Sequence, residues 1–188
     1  MHGPADCQPL FDQYQIKGFK SHQGHDTLSF TGTLYDNGKP VATVSNDGNG
    51  GCHHITFYPA AKRHVRGGVI SAAGHQAIKE ASDRFSAATH QIPVFLRHRQ
   101  DTPVSTDELI DLLVERTQMD RKARTKTLLR RDLGPYRWEL LMFTPVLTGA
   151  ELRRAVTENL PSDQWPVSFL WVTGRGWVPM EQAMRRVD

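Results

Sequence analysis

Residues 116–131 concentrate the cationic chemistry of this chain. Arg116, Arg121, Lys122, Arg124, Lys126, Arg130 and Arg131 stand against one acid, Asp120, a local net charge of +6 in a chain whose formal net charge is +3. The rest of the chain is therefore net negative. A positive charge gathered in one place favours a polyanionic partner. Read as a strand, 124–130 sends Arg124, Lys126 and Arg130 to one face with Leu128 interrupting, and Arg137 on the next strand extends it. Such a ribbon can follow a phosphate backbone, and Tyr136 or Trp138 beside it can stack on bases. The expected contact residues are Arg121, Lys122, Arg124, Lys126, Arg130, Arg131 and Arg137. The plain alternative is a solvated basic face whose long stems cover apolar surface.

A second set has the residue types for metal or thiolate work. His22 and His25 precede the longest strand pattern, and Cys52, His53 and His54 open a later one. Zinc takes four such nitrogen and sulfur ligands, so His22, His25, Cys52 and His54 are the candidate ligands. Adjacent strand residues point to opposite faces, which pairs Cys52 with His54 and leaves His53 aside. No finger or ribbon spacing is present, so the leading expectation is no cofactor, with zinc as the alternative. Cys52 beside two histidines and near Asp47 also has the types for thiolate catalysis, but no nucleophile signature surrounds it. The loop Asn46-Asp47-Gly48-Asn49-Gly50-Gly51 can offer backbone amides to an anion. It lacks the Lys-Ser/Thr ending of a phosphate loop and does not open a helix, which favours a glycine-permitted connection. Asp107, Glu108 and Asp111 fall where acids stabilise a helix N-terminus.

These side chains need elements to position them. Leu28–Tyr35 alternates apolar and polar residues, Asp36-Asn37-Gly38 supplies a tight turn, and Val41–Val44 returns. With Ile16–Lys20 before and His53–Tyr58 after, residues 16–58 read as an antiparallel meander. Residues 69–90 show helical spacing, Val94–Leu96 is a short buried stretch, and Ser105-Thr106-Asp107-Glu108 is a capping box opening a helix. A short basic helix is expected to restart at Asp120. Thr125–Arg130 and Tyr136–Phe143 form a hairpin, Thr148 and Glu151 a second capping box, Val167–Val172 a final strand, and 179–187 a short amphipathic helix. Of the four tryptophans, Trp165 and Trp177 are the candidates for an exposed contact surface. The expected class is α+β: an N-terminal meander, helices, a hairpin, a helix and a last strand. A chain of 188 residues fits one domain, with lobes at 16–90 and 105–188 as the variant reading, and residues 1–15 loosely ordered. No run of about 18 apolar residues is present, so no membrane span is expected. Two cysteines and no basic-then-apolar leader pattern point to a reducing cytoplasm.

Several blocks carry a resemblance. Phe19-Lys20-Ser21 with Gly24, Leu28–Tyr35 with Asp36, Gly38 and Lys39-Pro40-Val41-Ala42, and Asp47-Gly48-Asn49-Gly50-Gly51 resemble the opening of a family of small uncharacterised proteins. Its members are encoded by bacteriophages, plasmids and other bacterial mobile elements. Asp107–Ile110 and Arg124–Arg130 resemble a later part, where the family has a basic strand. The match covers 16–58 and 105–145, and it departs from the family at Thr31 or Gly32, where a Phe is usual. The resemblance implies context and no activity: a cytoplasmic protein that binds nucleic acid or host machinery such as restriction or CRISPR effectors. Three functions are expected in turn. The first is a non-enzymatic protein binding DNA, RNA or a nucleic-acid-handling host protein through the basic surface. The second is a protein–protein inhibitor of host defence, and the third a metal-dependent enzyme using the His/Cys set.

Overall fold

The computed structural model describes residues 8–59, 65–66, 68–92, 104–134, 137–160, 168–173 and 175–185, with the side chains of Val65, Arg66, Gly134, Arg137 and Trp138 outside the description. The expected stretch Val94–Leu96, and Cys7, His64, Tyr136 and Trp165, also lie outside the described residues. The class is α+β with antiparallel sheets. The chain divides into two compact units, residues 9–117 and residues 118–188 with 1–8. No described helix is long and apolar enough to cross a membrane.

In the unit of residues 9–117, a short helix α1 (Gln8–Gln13) leads into a four-stranded meander of order β1 (Tyr14–Gln23), β2 (Leu28–Asp36), β3 (Lys39–Asn46), β4 (His54–Phe57). Residues 8–15 are therefore helix and strand start, not a loose lead-in, because Leu10, Phe11 and Tyr14 are buried and anchor them. A two-stranded ribbon, β5 (Val65–Arg66) and β6 (Val69–Ile70), precedes α2 (Ala72–Ala88), so the helix expected from 69 starts three residues later. Ser71 sets that start by accepting from the Gly74 amide. Phe85 of α2 meets Tyr14 edge-on at 5.2 Å and Phe57 at 6.1 Å, which seats the helix on the inner face of the meander. Asp36, at the buried end of β2, accepts from Gln13 at 3.2 Å, Asn37 at 2.9 Å and Arg84 of α2 at 3.2 Å.

The helix α3 (Thr106–Lys122) opens on the expected capping box. Ser105 Oγ accepts from the Glu108 amide at 3.3 Å, and Glu108 reaches back to the Ser105 amide at 3.1 Å. It runs unbroken through Asp120, so there is no second basic helix. Nothing interrupts it: residues 106–122 contain no Gly or Pro, and Leu109, Ile110, Leu113 and Val114 recur at helical spacing as a buried stripe.

In the second unit the sheet order is β10 (Gly176–Pro179), β9 (Ser168–Val172), β7 (Thr127–Gly134), β8 (Arg137–Phe143), all antiparallel. One face, with Leu129, Leu170 and Val178, packs against α4 (Gly149–Asn159) through Leu152 and Val156 and against α5 (Met180–Met184) through Met180 and Ala183. The other carries Leu128, Trp171 and Trp177 under Met119. Three expectations change here. Residues 176–179 form a fourth strand ahead of the C-terminal helix, which runs over 180–184, so β9 is not the last. Thr148 precedes α4 without a side-chain cap bond. Trp177 is 5% exposed, meeting Trp171 edge-on at 5.0 Å, and is core, not contact surface.

Candidate functional site

The basic residues separate into two groups. Arg121 and Lys122 are exposed on the last turn of α3, where cations complement the negative end of the helix. The chain then turns tightly: the Thr125 and Lys126 amides both donate to Lys122 O, at 3.2 and 3.1 Å. That turn holds Arg124 exposed and Lys126 half-exposed. The strand begins at Thr127 instead of 124, so Arg124 and Lys126 sit on a corner and do not share a strand face with Arg130. Thr127 ends the turn by burying its hydroxyl, which accepts from the Leu147 amide at 2.7 Å.

Arg130 and Arg131 are used differently. Consecutive on β7, they point to opposite faces. Arg130 pairs with Asp132 at 2.7 Å and lies 6.0 Å from the Phe169 ring centroid. Arg131 pairs across the sheet with Glu139. Both are half-buried, and their charge is largely answered within the fold. Arg137 pairs through its backbone with Gly134, and its side chain lies outside the described residues. The ribbon expected over 124–130 is thus a cationic corner at 121–126 followed by a strand with internal ion pairs.

The histidine and cysteine set does not converge. His22 is exposed at the end of β1, His25 lies in the following turn against Asp26 at 2.9 Å, and His54 stands exposed on β4. Among the described residues no group of three or more His, Cys, Asp or Glu is placed to hold a metal. The parity argument that joined Cys52 to His54 fails for a simple reason. The strand starts at His54, so Cys52 and His53 lie in a loop where alternation does not hold, and both turn toward the start of α3.

His53 is the histidine the fold fixes. Asn46 Oδ1 accepts from the Gly48 amide at 2.7 Å, which leaves Asn46 Nδ2 to donate to Gly51 O at 3.0 Å and to His53 Nδ1 at 3.1 Å. With Nδ1 accepting, the ring proton sits on Nε2, which donates to Asp111 Oδ1 at 2.9 Å. The His53 amide donates to Asp107 at 3.2 Å. The exposed Cys52 thiol is pushed up from its ordinary value, first by its hydrogen bond to Asp107 and then by the charge of that carboxylate. A thiol held protonated is a poor nucleophile, so the trio of Cys52, His53 and Asp107 latches a loop to a helix. The sequence signal for it was the i, i+4 spacing of Asp107 and Asp111, which puts both acids on one face of α3.

The glycine-rich loop is likewise consumed internally. The Gly48 and Asn49 amides go to Asn46 Oδ1 and Asp47 Oδ1. Gly48 O accepts from Asp26 and Thr27 at 2.8 and 3.0 Å. Gly48, at φ 83°, packs so closely on Gly24 that a Cβ there would lie 2.7 Å from the Gly24 Cα. The loop is a dock for the β1–β2 turn, with two of its amides already spent. No protein-family model, curated protein or solved structure matches the chain.

Proposed function

We propose that the chain is a non-enzymatic nucleic-acid-binding protein of mobile-element type, engaging phosphate through the corner between α3 and β7. One observation carries the reading. Lys122, Arg124 and Lys126 have no acidic partner among the described residues, whereas Arg130 and Arg131, a few residues on, are both paired. Cations without internal partners keep their counterions, and releasing those counterions is what drives phosphate binding. The same sign of charge counts against an inhibitor seated in a host protein's nucleic-acid groove. Such a groove is itself basic, and like charges across an interface oppose association.

The test is fluorescence anisotropy of labelled DNA and RNA against the full chain over a salt series. Three phosphate contacts give a slope of log K against log salt of about −2.7 on duplex DNA and about −2.1 on single strands. The triple variant K122E/R124E/K126E is expected to abolish that contribution while the circular-dichroism spectrum stays unchanged. Binding of the variant with wild-type affinity and slope removes the corner from the interface. Absence of binding by the wild type at low salt removes the nucleic-acid reading.

A further inference from the structure

We infer that the outer face of the β1–β4 sheet is a separate binding site, and that its ligand is single-stranded nucleic acid. Lys17 and Lys20 are three residues apart and on a regular strand would point to opposite faces. The register of β1 on β2 shifts between them, with Gly18 at φ 63° and Phe19 turned into the core. The bulge brings Lys17 opposite Thr33 and Lys20 opposite Thr31, so both ammonium groups reach the solvent face. Two rows result across the four strands: Lys17, Thr33, Thr43, Thr56, and Lys20, Thr31, Ser45, His54. Each row runs from a cation through hydroxyls.

Charge complementarity selects the ligand class. The single acid in these four strands is Asp36, which is buried and paired. Asp26 and Asp47 lie in turns, Asp47 near the His54 end of the second row. Away from that end the strands of the outer face carry cations and hydroxyls with no carboxylate, a surface suited to phosphate oxygens. It also carries flat apolar groups. Lys17 Nζ stands 4.6 Å from the Tyr35 ring centroid, and the half-buried Tyr58 has its phenol pushed up, first by burial and then by the nearby Tyr35. A cation beside an aromatic ring offers a nucleotide its two requirements, a phosphate partner and a stacking platform.

Width keeps this face out of the major groove. Three interstrand spacings of about 4.8 Å make this face about 14 Å across, whereas the major groove is about 12 Å wide and admits a helix or a two-stranded ribbon. A single strand with splayed bases has no such limit.

The experiment uses the full chain and labelled 12-mers of oligo-dT and oligo-U, an abasic 12-mer and a 12-base-pair duplex. These are titrated with wild type, Y35A, Y35F and K17Q/K20Q, each also in the K122E/R124E/K126E background so that the corner and the sheet are read separately. Y35A is expected to weaken single-strand binding about 5- to 150-fold, the worth of one stacked base, leaving duplex binding unchanged, while Y35F retains it. K17Q/K20Q is expected to reduce the salt slope on single strands by about 1.4, two phosphates' worth. The relative affinity for oligo-dT and oligo-U identifies DNA or RNA as the source of the strand. The inference is overturned if Y35A binds within twofold of wild type, or if the abasic strand binds as tightly as oligo-dT. Lysines on the edge strand β1 can instead serve to block edge-to-edge pairing. In that case K17Q/K20Q elutes as oligomers on size exclusion and keeps its affinity as a monomer, which also overturns the inference.

Discussion

Replacing Asn46 with alanine tests whether the latch between the glycine loop and α3 is built as described. Asn46 is 5% exposed and uses its whole amide: the oxygen takes the Gly48 amide, and the nitrogen serves Gly51 O and His53 Nδ1. Three hydrogen bonds at about 0.5–1.5 kcal/mol each, one to a Gly48 amide left buried, put the loss at about 2–4 kcal/mol. For a chain of this length each kcal/mol lowers Tm by about 2–4 °C. The assay is urea unfolding followed by circular dichroism, because all four tryptophans lie beyond residue 117 and do not report on this unit. Asn46→Asp sharpens the test. It keeps an oxygen for the Gly48 amide but has no side-chain N–H to donate to Gly51 O and His53 Nδ1, so it should recover only part of the stability lost in Asn46→Ala. A loss under about 1 kcal/mol for Asn46→Ala, or full recovery in Asn46→Asp, would refute the network.

Three further outcomes follow from the same geometry. Gly48→Ala forces a Cβ onto the Gly24 backbone at a φ of 83°, and strain of about 1–3 kcal/mol plus loss of the two hydrogen bonds to Gly48 O should destabilise the chain more than Gly51→Ala, which has open space; equal effects in thermal melts would contradict the docking. Asp107→Asn removes the charge that holds the Cys52 thiol protonated, so alkylation of Cys52 by iodoacetamide at pH 8, mapped by mass spectrometry, should accelerate; an unchanged rate would show that Asp107 does not govern it. Tyr14, 1% exposed, has its phenol pushed up to about 12, first by burial and then by the Asp36 charge. Because the unfolded phenol ionises near pH 10 and the folded one near 12, the unfolded state binds fewer protons in that window. Stability should therefore fall between pH 10 and 12 by about 2–3 kcal/mol, and Tyr14→Phe should lessen the fall.

The meander was legible because β2 and β3 alternate cleanly and Asn37-Gly38 marks their turn, Asn37 adopting φ 48° as the turn requires. The capping box at Ser105 was legible for the same reason: its signal is local. The bounds that were missed depend on partners distant in sequence. Leu10 and Tyr14 look like a loose lead-in until Phe85 of α2 arrives. Gly176–Pro179 becomes a strand only because Trp171 and Leu170 on β9 face Trp177 and Val178. For the site, composition showed how many cations stand at 116–131 but not which were already paired. Asp132 and Glu139 take two of them through strand geometry, and the turn after α3 takes Arg124 and Lys126 off the strand.

The two cationic surfaces differ in what else explains them, and that difference decides which is the more informative to test. At the corner, a folding role is available: cations on the last turn of a helix stabilise it by about 0.3–1 kcal/mol each. Arg121 and Lys122 meet that condition. Arg124 and Lys126 lie beyond the helix, so the dipole accounts for only part of the cluster. On the sheet, lysine is a poor strand former, and a bulge requiring a left-handed glycine is needed before Lys17 and Lys20 share a face. A regular β1 would have placed one of them against the core, so burial demands that the strand be broken or one lysine replaced. Breaking it turns both lysines outward beside Tyr35. Gly18 has open space around its would-be Cβ, so Gly18→Ala meets no clash and acts through the backbone conformation alone. If the bulge serves only the packing of Phe19, Gly18→Ala lowers stability and leaves strand binding intact. If it serves to aim the lysines, the folded fraction of Gly18→Ala loses part of the salt slope as well, the result expected from the outer face as a phosphate-binding surface.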